Sequence, residues 1–423
     1  MSATTFLAFL GGLLVLAFAA NRLYRLTRVP DVIVLMFVGV LLGPVSGWIR
    51  ADEFRNVIDT LGTLALMLIL FEGGLELNLR ETIRQFPGGV FLAMTGFLFT
   101  VALVALVAWK THHLPVRSAL LMGAVLGPIS STIMFPLLQQ INPPSSTRTI
   151  LLIEASLNDV LGVFAVSLLL TLSTAHVTGP GGLIALHLSK LVLCVVLVVI
   201  FGGLWSRFLP RLSEQRFWQV FTFSVVLLVY AAAQAASHAG LISVLAFGLT
   251  LANVRRADPR LREATEGYWS SPPEHHLQIL SFHSELAFLV RSFFFILLGV
   301  VVELKGLRGY TLLTLGTLGA LVVARWIAVG VSGWAFQEKG PLGRGLARWV
   351  FPRGLITAVL AIEVLSAQGP AFNFLPALTF AAILFTNALV VVASFRAAHA
   401  RRLAQIPVSE REESPAPVHL PAP

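Results

Sequence analysis

The sequence contains a single cysteine, Cys194, among its 423 residues. One cysteine excludes an intramolecular disulfide framework and a metal site built from several thiolates. Charged residues are also scarce, at 12% of the chain, whereas hydrophobic residues make up 56% and the mean hydropathy is +0.83. A soluble fold of this length cannot bury so much apolar surface. The composition therefore predicts a membrane protein whose chain crosses the bilayer many times.

Thirteen apolar stretches approach the length of about 20 residues that a helix needs to span a bilayer. They cover residues 5–25, 31–49, 56–78, 87–110, 116–139, 148–173, 183–206, 217–237, 240–254, 283–303, 310–336, 345–366 and 375–396. The ninth is the shortest of the set. We predict from them an all-α polytopic fold with about 13 transmembrane helices.

Lysine and arginine are distributed unevenly between the predicted connections. With the N-terminus outside, 20 of the 30 fall in odd-numbered connections and the C-terminal tail, 6 in even-numbered connections and 4 within segments. Because basic residues concentrate on the cytoplasmic side, this predicts an outside N-terminus and a cytoplasmic C-terminus. The net charge of +9 is then explained mostly by the basic residues of the cytoplasmic connections. Nucleic acid is not an expected partner, since its binding needs a basic face on a soluble domain.

Two segments are interrupted by helix-breaking residues. The fifth contains Gly127-Pro128, and the twelfth contains Pro352-Arg353-Gly354. Segments one to six and eight to thirteen form two six-helix sets, and each interrupted segment is the fifth member of its set. The single linker segment between the sets, the seventh, gives the second set the opposite orientation in the membrane. Paired broken helices in inverted repeats are typical of secondary transporters that bind an ion near the bilayer midplane. Kinks with only a packing role are the alternative interpretation.

These patterns divide the chain into four predicted units. They are a first six-helix repeat over residues 1–174, a linker helix over 175–210, a second repeat over 211–398 and a disordered cytoplasmic tail over 399–423. The longest connection between segments is predicted over residues 254–282.

Acidic side chains inside the sixth segment are the first candidates for function. A carboxylate at bilayer depth costs roughly 3 kcal/mol unless it faces a partner, a cavity or the bundle interior. Glu154 and Asn158 lie within about 40° of each other on a helix, whereas Asp159 lies about 140° from Glu154. Ser156 lies only about 60° from Asp159, one turn earlier. The two acids therefore face different neighbours, which suggests one structural and one functional role.

Four basic residues lie within predicted segments. Arg325 is in the middle of its segment, so we expect it to pair with a buried acid. Lys190 and Arg291 are nearer to segment ends and are expected to extend to the membrane interface. Arg353 belongs to the interruption of the twelfth segment.

The other acids differ in predicted depth. Asp159 is expected to be the only aspartate deep in a segment, and Glu72 is a further deep acid. Glu363 is near the outer end of the twelfth segment, where water is expected to reach it.

Four motifs, in this order, resemble signatures of the monovalent cation:proton antiporter-1 family, which includes NhaP-type antiporters and eukaryotic sodium/proton exchangers. They are Phe71-Glu72-Gly73-Gly74-Leu75, Glu154-Ala155-Ser156-Leu157-Asn158-Asp159, Phe293-Phe294-Phe295-Ile296-Leu297-Leu298-Gly299 and Pro352-Arg353-Gly354-Leu355. The resemblance implies a homodimer in which a core domain moves against a dimerisation domain. It also implies that Asp159 binds the cation and the proton in turn, that Glu154 pairs with Arg325, and that Pro128 and Arg353 belong to crossing helices.

The sequence departs from the family pattern at two places. Many NhaP-type members have Thr-Asp-Pro where this chain has Ile129-Ser130-Ser131, and a serine where it has Ala155. One carboxylate near the ion is therefore absent. Ser130, Ser131, Ser156, Asn158 and Glu72 are expected to complete the site around Asp159.

Competition at Asp159 gives the predicted mechanism. Burial disfavours the ionised carboxylate and a bound cation favours it, so proton and cation exclude each other. The resemblance favours 1:1 electroneutral exchange of a cation against H⁺. Hard oxygen ligands in a small site suit Na⁺, with Li⁺ accepted; K⁺ exchange by the same architecture is the first alternative, because the lost carboxylate lowers the field strength, and a cation channel is the second. An intramembrane hydrolase or a scaffold explains the acids less well. No cofactor is expected besides the transported ions, and the expected location is a bacterial or archaeal plasma membrane.

Overall fold

We describe the protein from a computed structural model. The described residues are 3–27, 29–49, 55–76, 85–174, 180–212, 215–237, 240–257, 274–302 and 309–405. Within these ranges the regular secondary structure is entirely helical. The predicted all-α fold is confirmed.

Fifteen α-helices follow one another along the described chain. They are α1 (Ala3–Thr27), α2 (Asp31–Val40, continued by a π-helical turn, Leu41–Val45), α3 (Arg55–Glu76), α4 (Phe86–His112), α5 (Val116–Leu126), α6 (Ser131–Ile141), α7 (Ser145–Thr174), α8 (Pro180–Leu212), α9 (Trp218–Ser237), α10 (Gly240–Ala257), α11 (Glu274–Val301), α12 (Thr311–Val331), α13 (Arg344–Trp349), α14 (Leu355–Gln368) and α15 (Leu375–Gln405).

The 13 predicted segments coincide with these helices, and the fifth and twelfth segments each consist of two. Within the described ranges, nine spans are long and apolar enough to cross a membrane, and four shorter apolar helices accompany them. The short ones include α10, which corresponds to the weak ninth segment. Hydropathy alone therefore located each of these apolar helices within the described ranges.

The helices pack as two groups. Helices α4 to α7 and α12 to α15 pack mainly on one another, and we call them the core bundle. Helices α1 to α3 and α8 to α11 also pack mainly on one another, and we call them the panel. The groups meet where α14 packs on α3 and where α7 packs on α8 and α10. Both broken helices belong to the core bundle.

Glycines set the spacing inside the panel. A Cβ at Gly39 would lie 2.0 Å from the Ile296 carbonyl oxygen, and one at Gly299 would lie 2.3 Å from the Met36 carbonyl oxygen. Helices α2 and α11 are therefore in backbone contact, which only small residues permit.

Two predicted boundaries need correction. The connection over residues 254–282 is partly helical, because α11 already begins at Glu274, directly after two prolines that favour a helix start over a helix interior. The predicted tail over 399–423 begins too early, since α15 continues to Gln405. Residues 258–273 and 406–423 lie outside the described part of the chain.

Candidate functional site

The two interrupted helices meet at their breaks. The backbone N–H of Ser130, between α5 and α6, donates to the Pro352 carbonyl, between α13 and α14, over 2.8 Å. A Cβ at Gly354 would lie 2.4 Å from the Ser130 hydroxyl oxygen. A larger residue at position 354 would therefore push Ser130 away, and backbone groups freed by both breaks lie close together.

Arg353 holds this crossing together. Its guanidinium donates to the carbonyls of Gly127 and Pro128, which α5 leaves without helical partners. Its own N–H donates to the Thr386 hydroxyl over 3.0 Å, and its carbonyl accepts from the Asn387 amide over 2.8 Å. Sequence reasoning missed these two α15 residues, although a Thr-Asn pair in an apolar segment was the signal for them.

Asp159 lies against the start of α6. Its side chain is 1% exposed, and its Oδ2 accepts a hydrogen bond from the Ser131 hydroxyl over 2.5 Å. A backbone hydrogen bond from Ser131, the first residue of α6, supports the same carboxylate. The partial positive charge of a helix N-terminus favours an anion there.

Part of the polar surface around Asp159 has no protein partner. Its Oδ1 finds no hydrogen bond among the described residues, and neither do the two amide atoms of the fully buried Asn158. Buried polar atoms in proteins are nearly always paired. This cluster therefore has the capacity to bind a small polar or cationic ligand through oxygen.

Glu154 has a very different environment on the same helix. Arg325 donates to both of its carboxylate oxygens, and both side chains are almost completely buried. Arg325 also donates to the Ala347 carbonyl over 2.6 Å and to the Val350 carbonyl over 3.2 Å. The expected partners are thus in contact, and together they connect α7, α12 and the broken segment around α13.

A cavity of about 580 Å³ opens between the panel and the core bundle beside Asp159. Glu72, Ser131 and Ser156 all line it, so Ser131 contacts both the cavity and the carboxylate. Glu72 accepts a hydrogen bond from Ser284, a partner that the sequence did not indicate. Ser130 instead lies at the helix crossing, against Gly354.

A second cavity, of about 480 Å³, lies further along α7. Val163, one turn beyond Asp159, lines it, together with the partly buried Tyr230 and the exposed Glu363. The first cavity borders α7 at Leu152 and Ser156. Asp159 therefore lies between two cavities that approach it from opposite ends of α7.

Arg291 has a partner that the sequence did not indicate. Its guanidinium donates to Asp31, the first residue of α2, over 2.9 Å. Asp31 is 7% exposed, so Asp159 is not the only buried aspartate among the described residues. The backbone contact between α2 and α11 brings the side chains of Asp31 and Arg291 together. Lys190, in contrast, is exposed on α8.

The fold is similar to that of a solved antiporter. The structure of the sodium proton antiporter MjNhaP1 from Methanocaldococcus jannaschii at pH 8 superimposes with a TM-score of 0.76, at 21% sequence identity, covering 93% of this chain and 100% of that one. At this identity the likeness concerns the fold alone.

Two curated relatives have similar sequences. The K(+)/H(+) antiporter NhaP2 of Shewanella sp. (strain MR-4) is 24% identical over 384 residues, which are 89% of this chain and 63% of that protein. The Na(+)/H(+) antiporter 1 of M. jannaschii is 24% identical over 375 residues, which are 85% of this chain and 83% of that protein. The chain therefore spans less than two thirds of the Shewanella relative.

A family profile covers nearly the whole chain. It is described as "Sodium/hydrogen exchanger, transmembrane" and matches residues 10–398. The match includes both broken helices, the Glu154–Arg325 pair and Asp159. The chain therefore belongs to the transmembrane sodium/hydrogen exchanger family.

Proposed function

We propose that the protein exchanges a monovalent cation for a proton, and that both ligands bind in turn at Asp159. The observation that carries this proposal is the environment of the Asp159 carboxylate. It is buried, one oxygen bonds Ser131 at the edge of a cavity, and the other has no hydrogen-bond partner among the described residues.

The contrast with Glu154 supports this assignment. Arg325 donates to both carboxylate oxygens of Glu154, so that carboxylate is a poor site for a mobile cation. The two hydrogen bonds from Ser131 to Asp159 add no full positive charge. A buried carboxylate without a fixed counter-charge is stabilised by taking up a proton or a cation. The two ligands therefore compete for the same oxygens.

Oxygen ligands for the cation are available from the neighbouring residues. We assign them to the Asp159 carboxylate, the Asn158 amide oxygen and the hydroxyls of Ser130, Ser131 and Ser156, with Glu72 across the cavity. Hard oxygen ligands suit alkali cations. The metal ion here is the transported substrate.

The division into panel and core bundle supports alternating access. The cavity beside Glu72 reaches Ser131, and the second cavity ends near Val163. Movement of the core bundle against the panel would close one path and open the other, provided that only the neutralised site moves. In this scheme Glu154–Arg325 is a structural brace, and Pro128 with Arg353 keeps the crossing intact.

Na⁺ is our first choice of cation, with Li⁺ accepted, and K⁺ is the alternative. The names of the two relatives cover both Na⁺ and K⁺. The absence of the family's carboxylate at Ser130 lowers the negative charge around the ion, which favours the larger K⁺. We further propose 1:1 electroneutral exchange, a homodimer in a bacterial or archaeal plasma membrane, an outside N-terminus and a cytoplasmic C-terminus.

The test is exchange in proteoliposomes that contain a pH-sensitive dye. We expect Na⁺ addition to dissipate a preformed pH gradient, and Asp159→Asn to reduce the rate to that of protein-free liposomes. Glu338→Gln, the same chemical change at an exposed loop residue, should keep the wild-type rate. Exchange at the wild-type rate in folded Asp159→Asn would rule out the assignment.

The same assay identifies the cation and the stoichiometry. Na⁺, Li⁺ and K⁺ are compared at equal concentrations, each with and without an imposed membrane potential. Electroneutral 1:1 exchange predicts a rate that does not change with the potential. A rate that increases with the potential would instead mean unequal charge movement.

A further inference from the structure

A third cavity, of about 640 Å³, lies far from the crossing, at one end of the core bundle. It is formed by α13 and the C-terminal half of α15. Its lining includes Leu346 and Trp349 from α13, and Ala393, Phe395, Arg396 and His399 from α15. None of the residues assigned to the ion site takes part in it.

The lining combines an apolar floor with a basic edge. Trp349 and Phe395 supply large hydrophobic surfaces, and Phe395 is 56% exposed. Arg396 and His399 are both exposed at the edge. Among the described residues no acidic side chain lines the cavity, so none of them neutralises Arg396 within it. A ligand that matches this surface has an anionic group joined to an apolar body.

Cation–π contacts with tryptophan rings hold Arg396 in place at the basic edge of the cavity. The Arg396 guanidinium lies 5.7 Å from the centre of the Trp349 ring, and Arg348 lies 5.2 Å from that of Trp326. The two tryptophan rings meet edge to face, with centroids 5.4 Å apart. Cation–π contacts within about 6 Å restrict a guanidinium without using its hydrogen-bond donors. Arg396 is therefore oriented and still able to bind an anion.

The location suits a lipid. Tryptophan and arginine concentrate where membrane proteins meet the headgroup region, and basic pockets beside transmembrane helices bind anionic headgroups. Trp326 is 41% exposed on α12, on the outer surface of the bundle. A free anion would leave the apolar floor unused, and a zwitterionic lipid would bring no net charge to Arg396.

We propose that this cavity binds one anionic phospholipid. Its phosphate contacts Arg396 and His399, and its acyl chains lie along Trp349 and Phe395. The site is independent of the exchange site, since it involves neither Asp159 nor the cavities on each side of it.

Native mass spectrometry of the purified full chain tests the proposal. The probes are phosphatidylglycerol and phosphatidylcholine with identical acyl chains, added at equal concentration. We expect a phosphatidylglycerol adduct that Arg396→Ala weakens about fivefold, which corresponds to the contribution of one basic residue to anionic lipid binding. Arg396→Lys should retain most of the binding.

Arg207→Ala is the matched control, because Arg207 is an exposed arginine on α8, outside the cavity. It should leave the adduct unchanged. Equal adducts with both lipids would overturn the proposal, as would an Arg396→Ala variant that binds phosphatidylglycerol like the wild type. Displacement of the lipid by millimolar inorganic phosphate would also overturn it, by identifying a simple anion site.

Discussion

Glu154 and Asp159 are five residues apart on α7 and equally buried, at 0% and 1% exposure, but their neighbours give them opposite properties. Arg325 binds both oxygens of Glu154, whereas among the described residues only Ser131 donates hydrogen bonds to Asp159. Helical geometry predicted the separation, because residues five apart point to different sides. The sequence did not show which serine bonds Asp159, because Ser131 is one of several serines near the break.

The brace formed by Glu154 and Arg325 leads to a stability prediction. In Arg325→Gln, the Glu154 carboxylate remains buried without its counter-charge, which costs about 3 kcal/mol. We expect a lower thermal unfolding midpoint in detergent for Arg325→Gln and for Glu154→Gln. The double variant leaves two neutral amides that can bond each other, so its loss should be smaller than the sum of the single losses.

An outcome with both single variants as stable as the wild type but inactive would contradict the structural role. It would instead place the pair in the transport cycle.

At the scale of elements, the helices were predictable from hydropathy, and their interruptions from Gly127-Pro128 and Pro352-Arg353-Gly354. The pairing of distant side chains was not. Asp31 and Arg291 are 260 residues apart in sequence, and their contact depends on how closely α2 approaches α11. That approach depends on Gly39 and Gly299, each of which lies against the backbone of the opposite helix. A single sequence does not show which glycines lie against another helix.

The contact between the two broken helices gives a second prediction. Gly354→Ala would place a Cβ 2.4 Å from the Ser130 hydroxyl oxygen and 2.7 Å from its Cβ. Overpacking of this kind costs about 1–3 kcal/mol, and here it pushes the two breaks apart. We expect a lower unfolding midpoint and slower exchange in proteoliposomes.

Ser130→Gly removes both clashing atoms and keeps the N–H that binds Pro352. Combining it with Gly354→Ala should restore part of the lost stability. Gly319→Ala is the matched control, because a Cβ there meets nothing within 4 Å. If Gly354→Ala behaves like Gly319→Ala, the two breaks are not in the close contact described above.

At the scale of the whole molecule, the proposed exchange site draws on both the panel and the core bundle. The core bundle supplies Asp159, Ser131 and both breaks, and the panel supplies Glu72 and the facing wall of the first cavity. Exchange by movement of one group against the other requires that the two cavities open to opposite sides of the membrane.

Cysteine labelling tests this requirement directly. Leu152 and Leu170 both belong to α7, about 27 Å apart along the helix, and line the first and the second cavity respectively. Cys194 is the only native cysteine, so Cys194→Ser provides a background without reactive thiols. In oriented proteoliposomes, a membrane-impermeant maleimide should reach Leu152→Cys from one side only and Leu170→Cys from the other side only.

The labelling rates should also respond to the transported ion. In the proposed mechanism, cation binding neutralises Asp159 and permits the movement. Saturating cation should therefore change the two rates in opposite directions, and the added variant Asp159→Asn should abolish that response. Labelling of both cysteines from the same side would contradict alternating access. Equal and constant labelling from both sides would instead indicate a continuous pore, as expected of a channel.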